Sequence, residues 1–223
     1  MKKFLNLGLV AAGVISAGCS STSVKTVPQS TSPEFFSGNS KLLKEVPGDS
    51  GDMQIYRYVS SELNKNNYHA VIIDPVIIYQ NQGESVVSNE VINQAKAILN
   101  AHLQKSIAQK FKVTETPGSG VARLSVAIAG ADIQGDGFKF RYLLPVSAVI
   151  NLTAYAAGYE PKHAALEIAS KITDSRSEHL LGASVTTIRG EVFRDKSDLA
   201  VEFETLAIEW VDNSVKYAAG INK

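Results

Sequence analysis

The alternation of strand-like and helix-like hydrophobic patterns from residue 69 onward most strongly constrains the fold of this 223-residue chain. The stretch HAVIIDPVIIY (69–79) is β-branched and predicts a strand, interrupted at Asp74-Pro75 because proline cannot donate to a sheet ladder. Residues 88 to about 112 show the apolar spacing of a helix, and Ser88 is a good N-cap. After the turn ETPGSG, the stretch VARLSVAIAGADI (121–133) alternates like a strand. The sequence therefore predicts a strand-helix-strand unit.

The second half of the chain continues in the same way. Residues 145–157 follow the pattern of a helix that Pro145 opens and Gly158 ends, although their β-branched members would also suit a strand. Residues 164–192 predict two strands joined by a polar turn at Asp174 to Glu178. One apolar stripe predicts a long terminal helix: Leu199, Phe203, Leu206, Trp210, Tyr217 and Ile221. The order β-α-β-α-β-β-α indicates an α/β (α+β) domain, in which helices pack on a mixed β-sheet.

The first nineteen residues resemble a bacterial lipoprotein signal peptide. The cationic start Met1 to Lys3 precedes an apolar run, Phe4 to Ile15, which is too short for a membrane-spanning helix. Small residues then lead to Cys19, the only cysteine in the chain. The tetrad SAGC (16–19) resembles a lipobox, with serine where a branched aliphatic residue is usual. This resemblance implies cleavage between Gly18 and Cys19 and lipidation of the Cys19 sulfur.

The alternative for Cys19 is a free thiol behind an ordinary signal peptide that is cut after Ala17. It is disfavoured because an unpaired thiol is a liability in an oxidising compartment. Ser20, rather than aspartate, follows the cysteine, which by resemblance implies an outer-membrane lipoprotein that faces the periplasm. We therefore expect a signal peptide (1–18), a lipidated cysteine with a flexible tether (19–32) and a single globular periplasmic domain (33–223).

The segment that leads into the domain has no clear period. Residues 20–32 are polar and lack the apolar surface that a folded segment must bury. Residues 33–60 contain Phe35-Phe36 and Leu42-Leu43 among turn-forming residues. We expect an irregular lead-in whose aromatic side chains dock on the main core.

The motifs in their order along the chain resemble an uncharacterised family of bacterial outer-membrane lipoproteins, known only as a domain of unknown function. The resemblance covers roughly residues 30–215 and is carried by Cys19 and by the stretches IIDPVIIY, PGSGVARLSVAIAGA, LLPVSAVI and EIASKITDSRSEHLLGAS. Arg176 to His179 replace the Thr-Gly pair that usually follows the Asp-Ser turn in the family. Because that family has no assigned chemistry, the resemblance implies no catalytic residue.

Two patterns bear on metal binding. The stretch DIQGDG carries Asp132, Gln134, Asp136 and Gly137 like the start of an EF-hand loop, but the twelfth position is Leu143, so we favour a strand-ending turn. None of the four histidines has the spacing of a zinc site: His69, His102, His163 and His179. His102 lies on the apolar helix face and is expected to be a hydrogen-bonded core imidazole. We therefore expect no metal, nucleotide or other cofactor.

The charge balance and the missing catalytic motifs narrow the function. The chain carries 22 basic and 22 acidic residues, which gives no basic surface for nucleic acid. It has no G-x-S-x-G elbow and no glycine-rich phosphate loop, and its acidic helix residues Glu202, Glu209 and Asp212 are expected to be solvated. Trp210 is expected to be a core anchor.

These features favour a non-enzymatic envelope lipoprotein with a binding or accessory role. Its expected partners are the membrane, through the lipid anchor, and an envelope protein or polymer. Two alternatives remain open from the sequence. One is a membrane-tethered hydrolase or transferase that acts on an envelope polymer, and the other is a carrier of a small apolar ligand between sheet and helices.

Overall fold

The computed structural model describes residues 35–48, 52–79, 87–135, 162–193 and 198–221. In these ranges eight strands form one mixed, open sheet, and two long helices pack against one of its faces. The strands are β1 (Lys44–Val46), β2 (Met53–Val59), β3 (Ala70–Ile73), β4 (Ile77–Ile78), β5 (Lys112–Val113), β6 (Val121–Gly135), β7 (Lys162–Asp174) and β8 (Leu180–Phe193). The helices are α1 (Asn89–Ala108) and α2 (Leu199–Ile221), and a short 3₁₀ helix spans Asn39–Leu42. The predicted α+β class is confirmed.

The strand order is β1-β2-β8-β7-β6-β3-β5, and β4 lies beside β6. β3 runs parallel to β6, and α1 lies between them in the chain, which confirms the strand-helix-strand unit. The predicted interruption at Asp74-Pro75 separates β3 from β4. Asp74 holds this break against β6, because its carboxylate accepts hydrogen bonds from Arg123 at 2.6 Å and Ser125 at 2.7 Å.

The helix predictions hold at their starts and in their buried stripes. Val91 donates its backbone N–H to the Ser88 hydroxyl at 3.4 Å, so Ser88 is the N-cap of α1. α1 ends at Ala108, one turn earlier than the apolar pattern suggests. The buried side chains of α1 are Ile92, Ala95, Leu99, Leu103 and Ile107, and those of α2 include Phe203, Leu206, Trp210 and Val211. Both sets pack against the same face of the sheet and form the main core.

The expectation of an irregular lead-in is wrong for residues 44–46, which form β1, and above all for residues 53–59. Residues 53–59 form β2, which pairs antiparallel with β8 from Met53 opposite Ile188 to Val59 opposite Gly182. Met53 and Ile55 are buried in the main core, and this alternation was the available signal. The partner strand β8 lies far along the chain. The short pattern in 53–59 therefore does not show that β2 is stabilised by seven residue pairs with β8.

Phe35 and Phe36 are buried as expected, but not on the main core. Their rings pack edge to face, 5.1 Å apart, in a second cluster with Tyr56, Ala127 and Ala169. Since Val126 and Ile128 belong to the main core, Ala127 faces the opposite side of the sheet. The aromatic pair therefore covers the face that the helices leave free.

The structure corrects two further predictions and confirms a third. Asp132 and Gln134 lie inside β6, opposite Ala165 and His163, so the predicted turn does not begin there. Tyr217 is 42% exposed, so its assignment to the buried stripe of the last helix is wrong. The turn after β7 is confirmed, because Asp174 Oδ1 accepts the backbone N–H groups of Arg176 and Ser177. The predicted element at 145–157 and Cys19 lie outside the described residues.

Candidate functional site: a cavity between sheet and helices

A row of polar side chains crosses the helix-covered face of the sheet. Arg57 of β2 stands opposite Ser184 of β8, and Ser184 stands opposite Ser170 of β7. The neighbouring row toward the core is Ile55, Thr186 and Ile168, all of them buried. The two rows are only two residues apart along each strand. Over that distance the face changes from packed core to a partly polar surface, which forms the floor of the site.

A cavity of about 480 Å³ lies above this floor. Leu103 and Ile107 from the end of α1 line one wall, and Trp210 and Val215 from α2 line another. In the outer row of the floor, Gly182 stands between Val59 and Ile172 and contributes no side chain. The cavity is thus largely apolar and lies where the last turns of both helices meet the sheet.

Trp210 lines the cavity, packs in the core and carries a buried polar group without a partner. Its side chain is 3% exposed and belongs to the main core, which confirms the prediction of a core anchor. Its indole Nε1–H is buried and finds no acceptor among the described residues. A buried donor without an acceptor costs about 1–3 kcal/mol.

The charged residues of the cavity all have one sign. The lining includes Arg57, Lys65, Lys110 and Lys112, together with His69, and it contains no aspartate or glutamate. Among these, Arg57 had a sequence signal, because an arginine at an inward position of the alternating strand MQIYRYV marks a polar place in a buried row. Lys65 and Lys110 come from loops and Lys112 from the two-residue strand β5, and none of them had a comparable signal.

His102 and Asp212 form a close histidine–carboxylate contact between the two helices. His102 Nε2 lies 2.8 Å from Asp212 Oδ1, which joins α1 to α2. The prediction of a hydrogen-bonded imidazole is confirmed, but the ring is only partly buried, and Asp212 is exposed but paired. Neither residue lines the cavity, and no described hydroxyl group bonds to His102.

Asp132 is a buried carboxyl group on the other face of the sheet, where Glu167 of β7 is also buried. Asp132 is 5% exposed, its Oδ1 accepts the Ile133 backbone N–H at 2.8 Å, and burial raises its pKa to about 6. Asp136, Gly137 and Leu143 of the calcium-like pattern lie outside the described residues. Across the described ranges, no three histidine, cysteine, aspartate or glutamate side chains stand together as a metal site would require.

The family is decided by a match over most of the chain. Residues 34–209 match the family described as "Protein of unknown function (DUF3313)". The chain belongs to the DUF3313 family. The sequence resemblance to an uncharacterised family is thereby confirmed. No curated protein matches this DUF3313 chain.

Solved structures give only distant likenesses to the DUF3313 chain. The PelC dodecamer from Paraburkholderia phytofirmans is 12% identical, with a TM-score of 0.38, over 77% of this chain and 99% of that one. A protein from Xanthomonas campestris is 12% identical, with a TM-score of 0.39, over 73% and 90% of the two chains. A minor lipoprotein from Acinetobacter baumannii is 6% identical, with a TM-score of 0.32, over 69% and 94%. These values carry no information on ligand or activity.

Neither α1 nor α2, nor any other described helix, combines the length and the apolar character that crossing a membrane requires.

Proposed function

We propose that this DUF3313 protein is a lipid-anchored protein of the bacterial envelope whose domain binds the apolar chain of a small molecule in the cavity between sheet and helices. The observation that carries the proposal is the apolar cavity of about 480 Å³, whose lining includes the side chain of Trp210. Small-molecule sites in proteins have volumes of about 300–1,000 Å³ and combine apolar walls with a few polar groups. This cavity has that size and that composition.

Burial of a hydrocarbon chain supplies affinity without any reacting group. Each methylene that leaves water contributes about 0.8 kcal/mol. The walls offer Leu103, Ile107 and Val215 as contacts for such a chain. A single long chain can therefore bind without a specific polar contact along most of its length.

The polar groups of the cavity support binding rather than acyl transfer. Ser170 and Ser184 are the hydroxyl groups of its floor, and a nucleophilic serine requires an adjacent base. Within the described residues neither serine bonds to a histidine, and Ser184 shares its hydrogen bond with Thr186 at 3.3 Å. These contacts support a carrier over a hydrolase, because no serine of the described cavity lining, Ser214 included, is bonded to a histidine base.

The expected anchor agrees with such a ligand. Lipidation at Cys19 would tie the domain to the membrane through residues 19–32, a tether with a reach of about 50 Å when fully extended. Molecules with a long apolar chain partition into the same membrane. The domain would thus meet its ligand at the bilayer surface.

The fluorescence of Trp210 tests the proposal directly, because the chain contains one tryptophan. The full chain in an uncharged detergent is titrated with a dibrominated octadecanoyl chain, carried on stearate and on its monoglyceride, and with the unbrominated compounds. Bromine quenches indole emission on contact. We expect saturable quenching by at least one brominated compound and none by its unbrominated counterpart.

Cavity-filling variants provide the control for partition into detergent. Ser170→Leu places a larger side chain in the floor and should abolish quenching at an unchanged melting temperature, whereas Ser40→Leu, outside the cavity, should not. If Ser170→Leu is unstable, Ser214→Leu fills the same space from α2. Equal emission with brominated and unbrominated chains, or equal quenching in wild type and a folded cavity-filling variant, would overturn the proposal.

A further inference from the structure

The cations around the cavity come from three separate parts of the fold. Arg57 belongs to β2, Lys65 to the loop before β3, and Lys110 and Lys112 to the segment that follows α1. The whole chain has equal numbers of basic and acidic residues. The excess of positive charge is therefore local to this site.

The end of α1 explains only part of the cluster. The C-terminus of a helix carries a partial negative charge that attracts a cation within about one turn. Lys110 lies two residues beyond Ala108, the last residue of α1, and is accounted for in this way. Arg57 stacks on Tyr217 in the last turns of α2, so the end of that helix favours it in the same way, whereas Lys65 lies in the loop before β3 and is not explained by the end of α1.

These cations are not neutralised within the fold. Elsewhere, Arg123 pairs with Asp74 at 2.6 Å and Arg189 pairs with Asp52 at 2.8 Å. By contrast, none of the four cavity cations forms an ion pair in the part of the chain that the structure describes.

Arg57 is held in place without losing its charge. Its guanidinium carbon lies 3.6 Å above the centre of the Tyr217 ring. Stacking on an aromatic ring orients the guanidinium but leaves its N–H groups free for an anion. Clustered charge of one sign in a cleft raises the local concentration of the opposite charge. The site therefore presents a fixed cation next to an apolar cavity.

We infer that the ligand of the cavity is a single-chain amphiphile with an anionic head group, a carboxylate or a phosphate, and this inference rests on the proposed function. The chain lies against Leu103, Ile107 and Trp210, and the head group lies at Arg57 and Lys65. A guanidinium binds either oxyanion in a bidentate manner, so both chemistries fit. The apolar walls provide affinity and the cations select the head group.

Selection between head groups can be measured with four ligands that share one acyl chain and differ in the head group. The dibrominated octadecanoyl chain is compared as a free carboxylate, as a lysophosphatidic acid, as a neutral monoglyceride and as a trimethylammonium ester, with Trp210 quenching of the full chain as the readout. We expect at least one anionic probe to bind about tenfold more tightly than the neutral probe at low salt. The difference should shrink at about 1 M salt, where the Debye length falls to about 3 Å. The two anionic arms show whether a carboxylate or a phosphate is preferred.

Charge variants show which residues select the head group. Lys65→Glu should weaken binding of the preferred anionic probe by up to about fivefold, the range of an exposed ion pair, and leave the neutral probe unchanged. Arg57→Gln should have a larger effect on the same probe. Lys41→Glu is the matched control, because Lys41 is exposed and does not line the cavity.

The outcomes separate this inference from the proposal on which it rests. Equal affinity for all four heads, tighter binding of the neutral or cationic probe, or equal effects of Lys65→Glu and Lys41→Glu would overturn the anionic head group and leave chain binding intact. The absence of quenching with every probe would instead overturn the proposed function.

Discussion

The guanidinium of Arg57 lies 3.6 Å above the centre of the Tyr217 ring, and this contact joins β2 of the sheet to the last turns of α2 at the cavity. Tyr217 follows the apolar spacing of α2 but is 42% exposed. The ring therefore acts as a platform for a cation rather than as part of the buried stripe. An exposed contact of this kind stabilises by about 0.5–1 kcal/mol.

Removing the ring should therefore cost more than removing its hydroxyl group. We expect Tyr217→Ala to lower the free energy of unfolding by about 0.5–1 kcal/mol relative to Tyr217→Phe, which keeps the aromatic face. Urea melts of both variants measure the difference. In the Arg57→Gln background the difference should vanish, and its persistence there would show that Tyr217 stabilises α2 without Arg57.

The buried stripe of α2 should dominate its energetics. Truncation of Phe203 or Trp210 to alanine removes a core side chain and should cost about 3–5 kcal/mol, whereas Glu209→Ala should change stability by less than about 0.5 kcal/mol. Trp210→Phe should cost much less than Trp210→Ala, because it keeps an aromatic ring and removes the unpaired N–H. Denaturant melts of the four variants measure these differences in the free energy of unfolding. Similar small decreases in all four would mean that α2 is peripheral.

The elements that were predicted correctly are those whose patterns are local. Ser88 and the apolar spacing of α1 define that helix within one stretch of sequence, and the alternation in 121–133 defines most of β6. β2 has a short alternating pattern, but the sequence near it gives no sign of the partner that stabilises it, because β8 lies more than a hundred residues away. Strand pairing over such a distance leaves no mark in a short window.

The candidate site depends even more on distant contacts. Ser170, Ser184 and Arg57 form one row only because β7, β8 and β2 pair in a particular register. Trp210 was correctly predicted to be buried, but its unpaired Nε1–H depends on which atoms surround it. Hydrophobic periodicity predicts which side chains are buried. It does not predict where the packed core leaves a cavity.

Asp132 should make the protein less stable as the pH rises from about 4 to about 6. Burial raises the pKa of its carboxyl group from 3.8 to about 6 in the folded state. Because the folded pKa lies above the unfolded one, the protonated form is stabilising and that stability is lost as the pH rises through about 6. At about 1.4 kcal/mol per pKa unit, the effect amounts to at most about 3 kcal/mol.

Asp132→Asn should remove this dependence. The difference in unfolding free energy between variant and wild type should change between about pH 4 and pH 6 and be constant above that range. Glu167 is buried in the neighbouring strand β7, opposite Gly130, so the same comparison is made in a Glu167→Gln background to separate the two carboxyl groups. Asp174→Asn is the control with the opposite sign, because hydrogen bonds from Ser177 and Arg176 lower the Asp174 pKa to about 2, and its contribution is lost only below about pH 4. Parallel pH profiles of wild type and Asp132→Asn would contradict the assignment.

Gly120 should tolerate a methyl group far less well than Gly38. Both have positive φ, 68° and 79°, where an alanine costs about 1–2 kcal/mol. A Cβ at Gly120 would also lie 2.5 Å from the His69 ring and 3.0 Å from the Asn67 carbonyl oxygen, whereas a Cβ at Gly38 would meet nothing within 4 Å. We expect Gly120→Ala to cost at least about 1 kcal/mol more than Gly38→Ala in urea melts, as overpacking does. Equal costs would mean that the loop carrying His69 moves aside freely.

Cys19 should decide whether the protein is anchored. The tetrad SAGC predicts cleavage before Cys19, which leaves 223 − 18 = 205 residues, and lipidation at the only cysteine of the chain. Cys19→Ser should therefore abolish incorporation of labelled palmitate in a bacterial host that processes lipoproteins. It should also leave either the uncleaved precursor or, after cleavage near Ala17, a protein released from the membrane fraction. Ser20→Ala is the matched control, since it keeps the cysteine and should still be labelled.

Because a single acyl chain binds a membrane only marginally, stable membrane retention of wild type requires more than one. Label on the Cys19→Ser protein would show that the anchor is elsewhere, and an unlabelled wild type would remove the membrane tether from the proposed function.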